Sequence, residues 1–269
     1  MLHHCFDLLA LVLMHRRQKD YLRWYFKHSK KMLRFKNIHH GEDCFIIGNG
    51  PSLNKMDLSL LKDHHTFGLN KIYLMFDRVD LNLSYHVAVN PLVIEQSTAE
   101  FEALNCPSFL SYGPAHKVVR PLDHLNFIAT NSICPMPFSF CGDLTMPLHE
   151  GYTVTYVAMQ IAFYMGFRNV YLVGVDHNFN ASGAPNSEQM MQGEDQNHFD
   201  PRYFADKRWH LPDLQASELS YCLAKYFYAV DGRQIWDATV GGKLQVFPRI
   251  EFRQALGRCK KRTVSGALS

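Results

Sequence analysis

An α/β fold, a mainly parallel sheet flanked by helices, follows from three features of the sequence. Short apolar runs alternate with helix-like stretches from residue 44 to residue 236, the order in which a parallel sheet and its crossover helices are laid down. The first run, Cys44 to Ile47, breaks into the small-residue turn Gly48, Asn49, Gly50, Pro51, Ser52, which lets backbone amides approach a ligand closely. A later run, Asn169 to Val175, ends on Gly174, Val175 and Asp176. That places a carboxylate at the C-terminal edge of the sheet, where ligands of open α/β sheets collect.

The 269 residues, 47% hydrophobic and 20% charged, suffice for one large domain with a sizeable core. Residues 1–40 form a basic segment with nine Lys and Arg against Asp7 and Asp20, or +7 in a chain of net +3, which leaves −4 for the remainder. A basic strip outside a mildly acidic body points to a surface contact with anionic lipid or an acidic partner, and away from a nucleic-acid enzyme. An amphipathic helix is expected from about Leu8 to Leu33. Its apolar side is read first as packing on the body or as a homo-oligomer contact, with a peripheral contact at the inner face of the membrane as the alternative. The apolar stretch Leu8 to Met14 falls far short of the roughly 20 residues that span a bilayer, and positive charge follows it, so neither a transmembrane anchor nor an export signal is expected. Seven scattered cysteines without a Cys-x-x-Cys pair read as reduced thiols in a cytoplasmic protein.

The remaining elements follow in order. Leu58 to Leu61 begins a short helix or turn, His65 to Leu69 and Tyr85 to Val89 are strands, and Ile94 to Leu104 is a helix. Residues 105 to 150, rich in Pro, Asn and Ser, read as short strands and loops. Thr153 to Met165 has the clearest helical spacing, with Gly166 as its stop. Residues 177–212 are a polar stretch containing His177, His198 and His210, and a segment of that length inside a domain reads as a functional lid. Leu214 to Val230 is a helix, Gln234 to Trp236 a strand, and Ala238 to Gly242 a turn facing the same sheet edge. The expected organisation is a basic segment at 1–40, a nucleotide-binding catalytic domain at 41–252 and a peripheral basic tail at 253–269.

The opening turn is not a Walker loop, because no Gly-Lys-Ser/Thr follows, and Leu53 stands where a dinucleotide fingerprint needs its third glycine. Asn49, Asn70 and Asn90 each follow a strand-like run, and three amides at the ends of parallel strands would wall a cleft, able to meet phosphate, ribose and base. Asp176, His177, Asp195, His198 and Asp200 share one stretch, but no zinc spacing is present and no metal site is assigned.

On these residues the chain resembles the bacterial sialyltransferases of glycosyltransferase family 42. Gly48 to Leu53 is similar to that family's nucleotide turn, Asn70 to Tyr73 to its Asn-x-x-Tyr/Phe, and Asn90 to Leu92 with Glu95 and Gln96 to its Asn-Pro-x segment. Thr153 to Gly166 and Val170 to Asp176 resemble its central helix and strand, so the likeness covers residues 44 to about 220. The same elements occur in a wider group named after the MptE pterin diphosphokinase, which includes flagellin-glycosylating Maf proteins. Gly241 to Leu244 and Val246 to Arg249 look like the C-terminal signature of its single-domain members. The resemblance implies a Rossmann-like, GT-A-type sheet with a lid at 177–212. It also implies an inverting transferase that moves a nonulosonic sugar from a CMP-activated donor to a glycan acceptor, with no tightly bound cofactor. The nucleotide-binding residues it implies are Gly48, Asn49, Gly50, Pro51, Ser52, Asn70, Asn90, Thr153, Gly174 and Asp176.

His210 stands where the sialyltransferases carry their catalytic histidine, and imidazole suits a base that takes the acceptor hydroxyl proton near neutral pH. His198 is the competing candidate. The family's two phosphate-binding tyrosines are missing, since their positions look like Asn178 and a neighbour of Ala184. Arg202, Tyr203, Lys207 and Arg208 are the nearby substitutes for stabilising the leaving phosphate. Two alternatives stay open: an ATP- and Mg²⁺-dependent 6-hydroxymethyl-7,8-dihydropterin diphosphokinase like MptE, and a nucleotide-binding protein without turnover.

Overall fold

A computed structural model of the chain describes residues 16–180 and 182–262. Among these residues the strands are β1 (Asp43–Ile47), β2 (His65–Leu69), β3 (Tyr85–Ala88), β4 (Ser108–Ser111), β5 (Leu125–Ile128), β6 (Asn169–Val173), β7 (Glu188–Met190), β8 (Arg208–His210) and β9 (Gln234–Asp237). Seven of them form one parallel sheet in the order β5-β4-β3-β2-β1-β6-β9. The α/β class with a mainly parallel sheet is therefore the observed architecture. β1 and β3 are buried along their whole length, as required when helices cover both faces of a sheet. Along β1 the side chains alternate: Phe45 and Ile47 join one core, Cys44 and Ile46 the other.

The chain enters at β1, builds outward to β5, then returns through helix α5 (Val154–Met165) to β6 on the other side of β1. The direction of winding thus reverses between β1 and β6, and a crevice opens at their C-terminal ends. Helix α5 is apolar nearly all round because it lies buried between the sheet and helix α6 (Leu214–Val230). Thr153 caps its start by accepting from the Thr155 amide, and Gly166 ends it with φ 93°, a left-handed conformation that glycine adopts without penalty.

Helix α1 is described over residues 16–27 and packs on the body. Trp24 is fully buried and its indole N–H donates to the Phe127 carbonyl of β5 at 2.8 Å. A 3-10 turn, Ser29–Phe35, follows and buries Met32 and Phe35, while the part of the expected helix before residue 16 lies outside the described residues. The helix expected at Ile94 to Leu104 is instead two short ones, α2 (Pro91–Gln96) and α3 (Thr98–Glu102). The earlier start has a local cause: the Asn90 side chain accepts from Leu92 and Val93 amides, and Pro91 sits at the first helical position. Residues 105–150 resolve into β4, helix α4 (Tyr112–Ala115), β5 and loops.

Two regions are more integrated than their composition suggests. The lid carries the antiparallel pair β7-β8 and sinks Phe199, Tyr203, Phe204, Trp209 and Leu211 into the core, so its aromatic residues make it a packed cap. The C-terminal segment, expected to be peripheral, forms helix α7 (Phe252–Arg258) and buries Phe252, Ala255 and Cys259. Among the described residues six cysteines are free thiols, and no helix is long and apolar enough to cross a membrane.

Candidate active site

A cavity of about 540 Å³ opens at the C-terminal ends of the strands. Gly48, Asn49 and Gly50 follow β1, Asn70 follows β2, Asn90 follows β3, and Gly174 to Asp176 follow β6. Thr153 and Thr155 contribute the N-terminus of α5, while Tyr203 and His210 face it from the lid. Ten of the residues singled out from sequence are brought together on this one surface. Pro51 and Ser52 instead line a smaller adjoining cavity of about 260 Å³, which also touches Asp176.

The glycine turn owes its residues to a close approach between β1 and β6. A Cβ on Gly48 would lie 2.4 Å from the Gly174 carbonyl oxygen, and one on Gly50 would lie 2.4 Å from the Asp176 carboxylate. Asp176 accepts from the Ser52 amide at 2.9 Å and from the Ser52 hydroxyl, so the carboxylate braces the turn. The lid is tied to the same turn, because the Phe199 amide donates to the Asn49 carbonyl at 2.9 Å and Asn54 Nδ2 donates to the Phe199 carbonyl at 2.8 Å.

Two residues of the lining are conspicuous: Asn49 Oδ1 and Asn70 Oδ1 are buried and, among the described residues, have no hydrogen-bond partner. An unpaired buried acceptor costs on the order of 1–3 kcal/mol, so the two asparagines carry an unmet hydrogen-bonding demand beside the cavity. Asn70 is held in the left-handed region at φ 48°. Its carbonyl faces His86 Nε2 at 2.8 Å, and His86 Nδ1 lies 2.6 Å from Ser108 Oγ. Burial drives the His86 imidazole down to about 4, so it is neutral at neutral pH.

Among the four histidines of the lining, His210 meets Asn90 Nδ2 at Nδ1, 3.2 Å away, and its Nε2 lies 4.0 Å from Glu188. Asn90 Oδ1 is committed to capping α2, so its amide nitrogen is the group turned toward His210. His198 pairs through Nδ1 with the fully buried Asp195 carboxylate at 2.7 Å and stacks on Tyr203 with ring centroids 3.9 Å apart. His177 bonds Glu218 at 2.9 Å. His149 Nδ1 accepts from the Gly151 amide at 3.0 Å.

The basic residues expected at the leaving phosphate do not line the cavity. Arg202 grips Asp200 with Nε and a terminal nitrogen, each at 2.9 Å, and reaches Asp77 at 3.2 Å. Arg78 meets the same buried Asp200 at 2.7 Å, and the Arg202 guanidinium holds the Asp200 carboxyl below its usual range. Arg208 spans Glu188 and Glu95 on the outer side of β8. Tyr203 remains in the lining, with burial pushing its phenol well above its ordinary range. Among the described residues the lining contains no Lys or Arg. The acidic and histidine residues of the lid do not converge either: Asp176 serves Ser52, Asp195 serves His198, and Asp200 serves two arginines.

Sequence reasoning missed Asn131, His149, Glu150 and Trp209, all of which line the cavity. Burial raises the Glu150 carboxyl toward its neutral form. Asn131 repeats the pattern of an asparagine just beyond a strand, here β5, and reading β5 as a strand would have exposed it. Its Oδ1 accepts from the Glu150 amide at 3.0 Å.

The sequence model of one family, described as 6-hydroxymethylpterin diphosphokinase MptE-like, matches residues 22–182. No curated protein matches the chain. Among solved structures, a Maf glycosyltransferase from Magnetospirillum magneticum AMB-1 matches with a TM-score of 0.50 and 12% identity, over 89% of this chain and 39% of its own. The chain thus spans about two fifths of that protein. The sialyltransferase CstII from Campylobacter jejuni, in complex with the substrate analogue cytidine-5'-monophosphate, gives a TM-score of 0.45 and 14% identity over 78% of this chain and 85% of its own. At its identity the likeness to the Maf protein is one of fold.

Proposed function

The chain belongs to the MptE-like family, and we propose that it is a sialyltransferase-like glycosyltransferase. It would move a nonulosonic sugar from a CMP-activated donor to a glycan hydroxyl with inversion. The observation that carries this reading is the character of the cavity: unpaired amide oxygens on Asn49 and Asn70, a helix N-terminus, and no Lys or Arg among the described lining residues. Such a lining suits a nucleotide with one anionic phosphodiester, which the roughly half charge of the α5 N-terminus can offset. A nucleoside triphosphate would bring several charges into a partly desolvated site with no fixed cation opposite them.

In this reading Gly48 and Gly50 let the nucleotide approach the backbone, while Asn49 and Asn70 accept its amine or ribose hydroxyl protons. His210 is the base. With Glu188 on the Nε2 side, the Nδ1 lone pair is the proton acceptor, and the Asn90 amide holds that position until the acceptor hydroxyl enters. The hydroxyl oxygen attacks the anomeric carbon, the bond to the phosphate oxygen breaks with its electron pair leaving on CMP, and the proton passes to Nδ1. His210→Ala should therefore abolish transfer while keeping CMP binding; normal turnover in that variant would remove His210 from the role. His198, whose Nδ1 is held by Asp195, is then the imidazole left for the base role.

A second reading follows the activity after which the family is described: diphosphoryl transfer from ATP to a hydroxymethylpterin. It requires Mg²⁺ and carboxylates free to hold it. Asp176, at the switch point, has both oxygens engaged by Ser52. Mg²⁺-dependent ATP binding without any response to CMP would favour this second reading, and saturable binding of CMP with no turnover of any donor would leave a nucleotide-binding protein.

A further inference from the structure

At the sheet edge opposite the cavity, three side chains from two separate segments converge. His39 and Glu42 lie in the turn before β1, and His65 opens β2. His39 Nδ1 is 2.6 Å from Glu42 Oε2, His65 Nε2 is 3.3 Å from the same oxygen, and the three ligand atoms all lie within 4.8 Å of one another. We propose that His39, Glu42 and His65 form a structural binding site for a zinc-type transition-metal ion, with water completing the coordination on the Glu42 side.

The donor set of two imidazoles and one carboxylate is the kind that selects borderline first-row ions over Mg²⁺ or Ca²⁺. A tetrahedral ion with bonds of about 2.0–2.1 Å sets neighbouring ligand atoms about 3.3 Å apart. His65 and Glu42 already have that spacing, and the His39–Glu42 pair needs to open by less than about 1 Å.

The surroundings orient the ligands. His39 Nε2 lies 2.6 Å from the Tyr85 hydroxyl, the outer contact that fixes which nitrogen of a ligating histidine faces the metal. Phe167 stacks on the same ring at 4.5 Å. The turn itself is pinned to the end of α5, with Asn37, His39 and Gly41 amides donating to the Tyr164, Met165 and Gly166 carbonyls at 2.9–3.0 Å. An ion here would staple the segment that leads into β1, already pinned to the end of α5, to β2. The arrangement without an ion is a carboxylate hydrogen-bonded to His39 with the His65 imidazole beside it, and the two states separate by experiment.

The full chain, stripped with a chelator, is titrated with Co²⁺ and followed by its visible d–d bands, with Zn²⁺ as competitor. The expected result is one equivalent bound with tetrahedral-type bands, displaced by Zn²⁺, and a Zn²⁺-dependent rise in melting temperature. His39→Ala and His65→Ala should lose both signals, His210→Ala should keep them, and Tyr85→Phe should weaken binding by roughly tenfold. Glu42→Gln keeps the size and a hydrogen-bond acceptor but is a poor ligand, so it should fold in the absence of metal and bind no Co²⁺. Binding that is unchanged in Glu42→Gln and in both histidine variants, or the lack of a one-equivalent signal in the unsubstituted chain, would overturn the site.

Discussion

Adding one methyl group at Gly48 or Gly50 separates the structural role of the opening turn from its proposed role in holding a nucleotide. At Gly50 the backbone, φ −71° and ψ 156°, suits alanine, so the whole cost is the collision of the new Cβ with Asp176 Cγ and Oδ1 at 2.4 Å and Oδ2 at 2.8 Å. The carboxylate must retreat by about 1 Å to reach ordinary contact, which breaks its bonds to the Ser52 amide and hydroxyl. Hydrogen bonds to a charged group contribute about 1.5–3 kcal/mol each, and water recovers part of that at a half-buried carboxylate, which leaves a net loss of about 1–3 kcal/mol. At Gly48 the obstacle is the Gly174 carbonyl, main chain to main chain, and the Gly48 amide also donates to the Val173 carbonyl at 2.8 Å. Neither strand can yield cheaply, so Gly48→Ala should cost about 3 kcal/mol, the upper part of the overpacking range. Urea unfolding followed by circular dichroism, paired with CMP calorimetry, reads both: Gly48→Ala unfolds early, whereas Gly50→Ala stays folded and binds CMP at least about tenfold more weakly. A Gly48→Ala chain as stable as the parent, or a Gly50→Ala chain with parental CMP affinity, would refute the reasoning.

Acid should weaken the fold through His86, whose folded-state imidazole titrates at about 4 rather than 6.5. The unfolded chain takes up that proton first, so stability falls as pH drops from about 6.5 to about 4, by up to about 3 kcal/mol, and His86→Gln should flatten this part of the profile in urea titrations. Arg202→Gln should lower stability by about 1–2 kcal/mol and hasten proteolysis within residues 177–212, because the side chain neutralises buried Asp200, yet leave CMP affinity unchanged; a selective loss of CMP affinity would return Arg202 to the phosphate. Trp24→Ala should cost about 3–5 kcal/mol in thermal unfolding, since it removes a fully buried indole and its bond to Phe127; an unchanged melting temperature would mean that α1 is not docked.

The elements legible in the sequence are those whose pattern is set locally. The span His65 to Leu69 coincides with β2 and Leu214 to Val230 with α6, because an apolar run or helical period and its flanking stops lie within the segment. The asparagines at 49, 70 and 90 were readable for the same reason: each sits one or two positions beyond a strand that reveals itself. What escaped is non-local. Arg202 looked like a phosphate ligand until Asp200 and Asp77 were seen to claim it. The lid looked structureless because its aromatics are spaced for contact with distant strands and have no period of their own. The C-terminal helix was read as peripheral from its charge, although Phe252 and Ala255 give it a buried side.

The crevice between β1 and β6 is proposed to hold a CMP unit through Asn49 and Asn70. The direct measurement is a calorimetric titration of the chain with CMP, and with ATP plus Mg²⁺, alongside Asn70→Leu. Saturable CMP binding that the Asn70→Leu variant loses, with no comparable heat from ATP and Mg²⁺, is the predicted result. Tight Mg²⁺-dependent ATP binding with no response to CMP would rule out the CMP site.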